Sequence, residues 1–199
     1  MIGYKANDRK GLVNMENRKE QIVNIAIDFI EKYGFDSFSY KDLSEAVGIT
    51  KATLHHHFPK KEDLGLAVCE KLKVKAKVVK SKIDKLDTAQ EKIKYIFDNL
   101  LNCAKTGDIC PISSLQAEYN VIPDSMKEMV ADLSEREIDY LSEILEEGLG
   151  EGIFEFKGNP KSMALMILTS YKGAIQYSRA MDDNTMSTVV EQIYNQIMK

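Results

Sequence analysis

Thr50, Lys51, Thr53, His55, His56, His57 and Lys61 fall within one short segment, TKATLHHHFPKK, that contains no carboxylate. Ammonium, hydroxyl and imidazole groups at that density can donate to phosphate oxygens and to the edges of bases. They do not make a metal centre. Consecutive helical residues point about 100° apart, so three adjacent imidazoles diverge, whereas a chelating pair needs i, i+4 spacing. One of the three has the alternative of packing inward against a preceding helix. These are the only histidines in the chain. No nucleophile with a base, metal cluster or phosphate loop accompanies them, so the sequence does not read as an enzyme and implies no cofactor.

Such donors act only if rigid elements aim them. Ser39 can cap a helix whose Asp42 stands three residues on, and Leu43, Ala46 and Val47 are predicted to share its inner face. Gly48 ends that helix where a left-handed conformation is cheap, and Ile49 buries the turn. Thr50 caps a second helix over residues 51–57, whose apolar positions are only Ala52, Leu54 and the following Phe58. A helix that short needs neighbours. Upstream, residues 21–32 place Ile22, Ile25, Ala26, Phe29 and Ile30 on one face before Tyr33 and Gly34. Three helices with a tight glycine turn between the last two are the layout of a helix-turn-helix.

Residues 21–64, with FIEKYGF, DLSEAVGIT, TLHHHF and KEDL in that order, resemble the N-terminal domain of the TetR family of bacterial transcriptional regulators. Ala52 stands where that family often has Gly, His55 and His57 where it often has Tyr, and Lys60 where a capping Ser or Asn is usual. Ala52 should favour the helix by roughly 1 kcal/mol over Gly. The resemblance implies a homodimer that binds double-stranded operator DNA and is released by a small-molecule inducer. Repression is the family's common mode, and activation would look the same in sequence. Lys51 is the expected base contact, with His55 and His56 near base edges or backbone. Thr53, His57 and Lys61 are expected on phosphates, Thr50, which caps the helix, is expected among the DNA-binding residues with them, and Tyr40 adds a phosphate contact from the preceding helix. A histidine that gains a proton beside phosphate should make operator affinity tighter at mildly acidic pH.

The charge distribution agrees with one end meeting a polyanion. Residues 1–80 carry 15 Lys and Arg against 11 Asp and Glu, whereas residues 81–199 carry 12 against 20, within a chain of formal charge −4. No run has the length of a signal peptide core or of a membrane span, so a cytoplasmic protein is expected, without membrane partners. Cys69, Cys103 and Cys110 are an odd number without CxxC spacing, which fits a reducing compartment. Residues 1–14 are polar and aperiodic. They read as a flexible arm, adding phosphate contacts through Lys5, Arg9 and Lys10, or as an upstream extension of a start at Met15.

The remainder reads as helix throughout, giving an all-α chain in which residues 15–63 are the DNA-binding domain and residues 64–199 the ligand-binding and dimerisation domain. A long helix is predicted from Lys61 to about Leu86, with Leu64, Val68, Leu72, Val79 and Ile83 inward. Its many lysines read mostly as a solvated face. Further helices are predicted over 88–104, 111–119 and 123–149. Gly148, Gly150 and Gly152 follow a helix, so they read as its end and a turn rather than a nucleotide loop. After Pro160 the run MALMILTSYKGAI is apolar nearly all round, and Met186, Val189, Val190, Ile193 and Ile197 form a last stripe. A helix apolar on every side must be buried on every side, which pairing with a second subunit through the last two helices would satisfy.

The resemblance further implies an inducer pocket among these helices. Its candidate lining residues are Phe97, Leu101, Cys110, Gln116, Tyr119, Met126, Tyr171 and Gln176, most of which serve equally well as ordinary core. The segment DICPISSLQAEYNVIPDSM also resembles regulators of this family with a cysteine just before a short helix. Cys110 is therefore expected at a helix N-terminus that lowers its pKa, which would suit an electrophile or oxidant sensor. The rival reading is a helical, dimeric protein-interaction module without sequence-specific DNA binding, which leaves the charge split and the match through the turn without a role.

Overall fold

The computed structural model describes residues 15–104, 109–181 and 184–199; the arm expected at residues 1–14 lies outside them. The helices, in order, are α1 (Met15–Tyr33), α2 (Tyr40–Val47), α3 (Lys51–His57), α4 (Lys61–Ile83), α5 (Ala89–Ala104), α6 (Pro111–Ala117), α7 (Asp124–Gly150), α8 (Pro160–Ala180) and α9 (Thr185–Ile197). Among the described residues the one extended pairing is an antiparallel bridge between Phe154 and Met198. The fold is all-α.

The chain buries two apolar cores, and they do not divide at residue 63. The first gathers the faces of α1, α2 and α3 but also takes Leu64, Val68, Cys69 and Leu72 of α4, Ile112 and Leu115 of α6, and Met126, Val130 and Leu133 of α7. The second lies between α5, the C-terminal half of α7, α8 and α9. The three-helix unit therefore shares its core with α6 and the start of α7. A Cβ on Gly65 would collide with the Met126 thioether, so α4 and α7 approach there as closely as glycine allows.

Several local expectations change. α1 starts at Met15 rather than near residue 21, because its first turns are polar and carry no apolar period; Arg18 and Gln21 bridge them at 2.8 Å. Ala46 is exposed, the inner face of α2 being Leu43, Ser44 and Val47. α4 stops at Ile83 rather than Leu86, where Asp84 and Leu86 donate to Lys80 and Ile83 in a tight turn. Val79 is 44% exposed instead of inward. All of residues 74–82 are exposed, so α4 is anchored by buried Leu72 and Ile83 and spans open space between them.

The glycines after α7 do form a helix end and turn. Ile153 and Phe154 both donate to the Gly148 carbonyl at 3.0 Å, and the Phe154 ring lies where a Cβ on Gly148 would be. Asn159 caps α8 by accepting the Ser162 N–H at 2.8 Å, with Pro160 in the first turn. α8 buries Ala164, Ile167, Leu168, Tyr171, Ala174 and Ile175 within the protomer. Its opposite face stays open: Leu165, Met166, Tyr177 and Met181 are all exposed.

Candidate nucleic-acid interface and effector cavity

The turn between α2 and α3 is built from side-chain caps at both ends. Ser39 Oγ accepts the N–H groups of Lys41 and Asp42, and Asp42 accepts the Ser39 N–H at 2.8 Å, a complete capping box. That reciprocal bonding holds the Asp42 carboxyl below its usual range, Ser39 being the main cause. Gly48 closes α2 at φ 74°, in the left-handed region, and Ile49 donates to Ser44 at 3.0 Å. Thr50 then caps α3 by accepting the Thr53 N–H at 3.1 Å, and the two hydroxyls bond each other at 2.9 Å.

Only Leu54 and Phe58 root the short α3 in the core, at 0% and 2% exposure. Truncating either to alanine would cost about 2–5 kcal/mol. Everything else on α3 faces outward: Lys51, Ala52, Thr53, His55 and His56 are exposed and His57 is half-buried. A hydroxyl has one donor and two acceptor positions, so Thr50 and Thr53 keep hydrogen-bonding capacity beyond their mutual bond.

Three expected contact residues are committed to the protein itself. The Tyr40 hydroxyl lies 2.9 Å from the Phe58 carbonyl and 2.7 Å from that of Lys60, fastening α2 to the turn after α3. Burial, and then the Asp63 carboxylate, push its pKa up to about 12, so it stays a neutral donor. The His55 ring is tilted against the Tyr40 ring, with centroids 4.8 Å apart, and its Nδ1 lies 3.3 Å from the Pro59 carbonyl. The Lys61 ammonium is engaged by the α1–α2 loop. It donates to the carbonyls of Phe38 at 2.5 Å and Asp36 at 3.3 Å, over the rings of Phe35 and Phe38. Burial lowers its pKa against the raising effect of Asp36, Glu118 and Asp42. Lys61 Nζ is thus a strut between α4 and the α1–α2 loop, and the start of α4 offers its backbone instead.

The sequence reading missed two cations that join this face. Arg18 and Lys19 of α1 lie close enough to His57 that, after desolvation and His56, they depress its pKa. Lys19 Nζ also sits 5.3 Å from the centre of the Phe58 ring. The signal was hidden because α1 begins before its apolar pattern does. Thr50, Lys51, Thr53, His56, His57, Arg18 and Lys19 are the polar and cationic groups that this face presents.

A second feature lies beneath the exposed span of α4. A cavity of about 780 Å³ opens between α4 and α7 and reaches α5, α6 and α8. Its walls are apolar, including Leu72, Ile83, Ile96, Leu100, Leu133 and Ile167, and its rim is charged. Of the residues expected to line it, Tyr171 does. Phe97 and Leu101 instead belong to the second core, Phe97 meeting the Tyr194 ring edge-on. Met126 is fully buried in the first core. Tyr119 and Gln176 are exposed, on α6's trailing turn and the outer side of α8. Gln116 reaches the wall indirectly: its Oε1 lies 3.3 Å from Lys172 Nζ, and Lys172 donates to Glu137 at 2.6 Å.

Cys110 precedes α6 as expected, but its thiol is not activated. Burial pushes its pKa up, the Glu137 carboxylate adds to this, and the Ser113 and Ile112 N–H groups with Lys172 only partly offset them. The expected lowering by the helix N-terminus is overturned because desolvation of a thiolate outweighs two N–H dipoles. Among the described residues no group of His, Cys, Asp and Glu could hold a metal ion, and no helix is long and apolar enough to cross a membrane.

Residues 22–68 match the profile of bacterial regulatory proteins of the tetR family, and residues 89–194 match a tetracyclin repressor-like C-terminal domain. No curated protein matches the sequence. Among solved structures, a TetR-family transcriptional regulator from Agrobacterium tumefaciens is 25% identical with a TM-score of 0.89, covering 94% of this chain and 100% of its own. A TetR transcriptional regulator from Legionella pneumophila is 28% identical with a TM-score of 0.81, covering 94% and 98%. The reduced form of NemR from E. coli shares the fold at 18% identity, with a TM-score of 0.80 over 92% and 98%.

Proposed function

The chain belongs to the TetR family of bacterial regulatory proteins, and from that membership we propose that it represses transcription by binding a palindromic operator as a homodimer. The observation that carries this reading is the α3 face. Buried Leu54 and Phe58 hold the helix while Lys51, Thr53 and His56 stand exposed in a segment, residues 50–61, that contains no carboxylate. Lys51 is the proposed base contact, with His56 on a neighbouring base edge or phosphate. Thr53, His57 and the α4 N-terminus bind phosphates, and Arg18 and Lys19 extend that contact along the backbone.

One such helix reads too few base pairs to select a site. A two-fold dimer supplies a second, with half-sites about 34–36 Å apart or a multiple of that. The open face of α8, with Leu165, Met166, Tyr177 and Met181 on its surface, suits pairing with a second copy together with α9. Gly173 lies on the same helix and a Cβ there would meet nothing within 4 Å in the protomer, so that stretch leaves room for a close approach. A small molecule in the cavity under α4 is the proposed inducer signal, since α4 joins that cavity to the DNA-binding unit.

The test is selection of bound sequences from a random duplex pool, then affinity across a salt series. A two-fold symmetric consensus is expected, with log affinity falling by about 0.9 per neutralised phosphate for each unit of log salt. Loss of that binding in the Lys51→Ala, His56→Ala double variant would assign it to α3. An unenriched pool would favour a helical protein-interaction module instead.

A further inference from the structure

We propose that the cavity under α4 binds an organic cation with an apolar body, its charged nitrogen seated on Oε1 of Glu137. This rests on reading the cavity as the effector site and names the class of effector. The volume, about 780 Å³, suits a drug-sized molecule. The walls dictate an apolar body, so the charge of the head is decided by the ionisable groups the cavity presents.

Most of those groups already satisfy one another. Lys73 and Arg136 share Asp132, at 3.1 and 2.9 Å. Lys80 pairs with Asp84 and Glu143 and lies over the Tyr140 ring, and Asp139 holds Lys161 at 2.8 Å. Glu70 lies 3.8 Å from Lys73. Lys75 and Lys77 pair with no carboxylate among the described residues, but both are exposed at the rim, where water and salt screen them.

Glu137 differs. Its side chain is only 24% exposed and lines the cavity, whereas its partner Lys172 is 14% exposed and does not. Lys172 bonds Oε2 at 2.6 Å, and Oε1 takes no hydrogen bond among the described residues. A molecule entering the apolar space therefore meets a carboxylate with one oxygen spare, not an ammonium. A cation gains a charge-assisted contact at that oxygen, which an anion does not. Tyr171 and Tyr140 also line the cavity, and the Tyr140 ring already carries a cation, Lys80 Nζ, 3.9 Å from its centroid.

The same pair links the cavity to the DNA-binding unit. A ligand nitrogen on Oε1 draws on the same carboxylate as Lys172 on Oε2, and Lys172 also bonds Gln116 of α6. α6 in turn is pinned to α1 and its following loop, Ser114 Oγ donating to the Ile30 carbonyl at 2.8 Å and Glu118 accepting from Phe35 and Asp36. Weakening the Glu137–Lys172 pair changes the load on α6 at that contact.

Calorimetric titration of the full-length protein with octylamine, octyltrimethylammonium and octanoate, below micelle-forming concentrations, tests the inference. Both cations should bind and octanoate should not. In the E137Q/K172Q double variant, which removes both charges and leaves no lone buried ammonium, affinity for the cations should fall at least about tenfold. Tighter binding of octanoate, undiminished cation binding by the double variant, or no binding of either cation to the parent would each overturn the proposal. The parent comparison needs no variant to fold. These titrations use no DNA, so their failure beside a selected operator removes the ligand class and leaves the regulator reading in place.

Discussion

Glu118, the residue that ends α6, accepts the backbone N–H of Phe35 at 2.5 Å and that of Asp36 at 3.1 Å. A carboxylate from the C-terminal part of the chain thus caps the loop that joins α1 to α2. Gly34 adopts φ 90° beneath it, and a Cβ there would lie 2.6 Å from Glu118 Oε1. The same loop is also held by Lys61 Nζ on the carbonyls of Asp36 and Phe38. Two opposite charges hold one loop by its backbone, the carboxylate on its N–H groups and the ammonium on its carbonyls.

Glu118→Ala leaves the part-buried Phe35 N–H and the exposed Asp36 N–H without their acceptor, and should lower unfolding stability by about 1–2 kcal/mol, mostly through Phe35. It should also weaken the response of DNA binding to effector more than DNA binding itself, since α3 keeps its own caps. Thermal unfolding and operator titration with and without effector check both. Equal stability, or full effector response, would show that the clamp carries neither role.

What was legible in the sequence follows from how local each cause is. The caps Ser39 and Thr50, the Gly48 turn and the outward side chains of α3 depend on residues three or four apart, and the structure has them where their spacing predicts. The chemistry of Tyr40, His55 and Lys61 suits phosphate, so local patterns place them on the DNA. Their actual partners are the Phe58, Lys60, Pro59, Asp36 and Phe38 carbonyls, which local patterns do not reveal. The cavity was least legible. Its outline depends on α4 standing off the body between Leu72 and Ile83, so Val79 and the lysines around it became its roof while Phe97 and Met126 fell into solid core.

Cys110 should react slowly. With its pKa raised by burial and by Glu137, less thiolate is present at neutral pH than for a free thiol, and the rate should keep climbing as pH rises beyond the ordinary thiol range. Alkylation by iodoacetamide, followed residue by residue by mass spectrometry against glutathione, measures this. Cys69, pushed up to about 11 chiefly by burial, should be slower than glutathione as well. Faster alkylation of Cys110 than of glutathione at neutral pH would restore the sensor expectation, as would loss of oxidant-driven release in Cys110→Ser.

The outer face of α8 predicts the oligomeric state. Leu165→Glu with Tyr177→Glu places two carboxylates on exposed apolar positions, so the folded protomer should tolerate them within about 0.5 kcal/mol each. At a two-fold interface each charge recurs on the partner, and the dimer should dissociate. Sedimentation velocity separates the outcomes: a folded monomer with weakened operator binding is expected. A dimer of undiminished affinity would assign pairing to another surface.

His57 ties DNA binding to pH with a sign that can be worked out. In the free protein desolvation, then His56, Lys19 and Arg18, hold its pKa below the ordinary value. The unfolded chain therefore binds a proton that the folded chain resists, and stability falls as pH drops from the ordinary histidine range through the lowered pKa. A phosphate placed beside the same ring favours its charged form and raises the pKa in the complex. The complex then holds more protons than the free protein. Operator affinity should accordingly tighten as pH falls, within the interval from the raised bound pKa down to the lowered free one. Affinity measured from about pH 6 to 8 at fixed salt tests this beside His57→Gln, which should flatten the dependence on both counts. If the parent's affinity is flat while its stability still falls with acid, His57 does not contact phosphate and belongs to the packing between α3 and α1 alone.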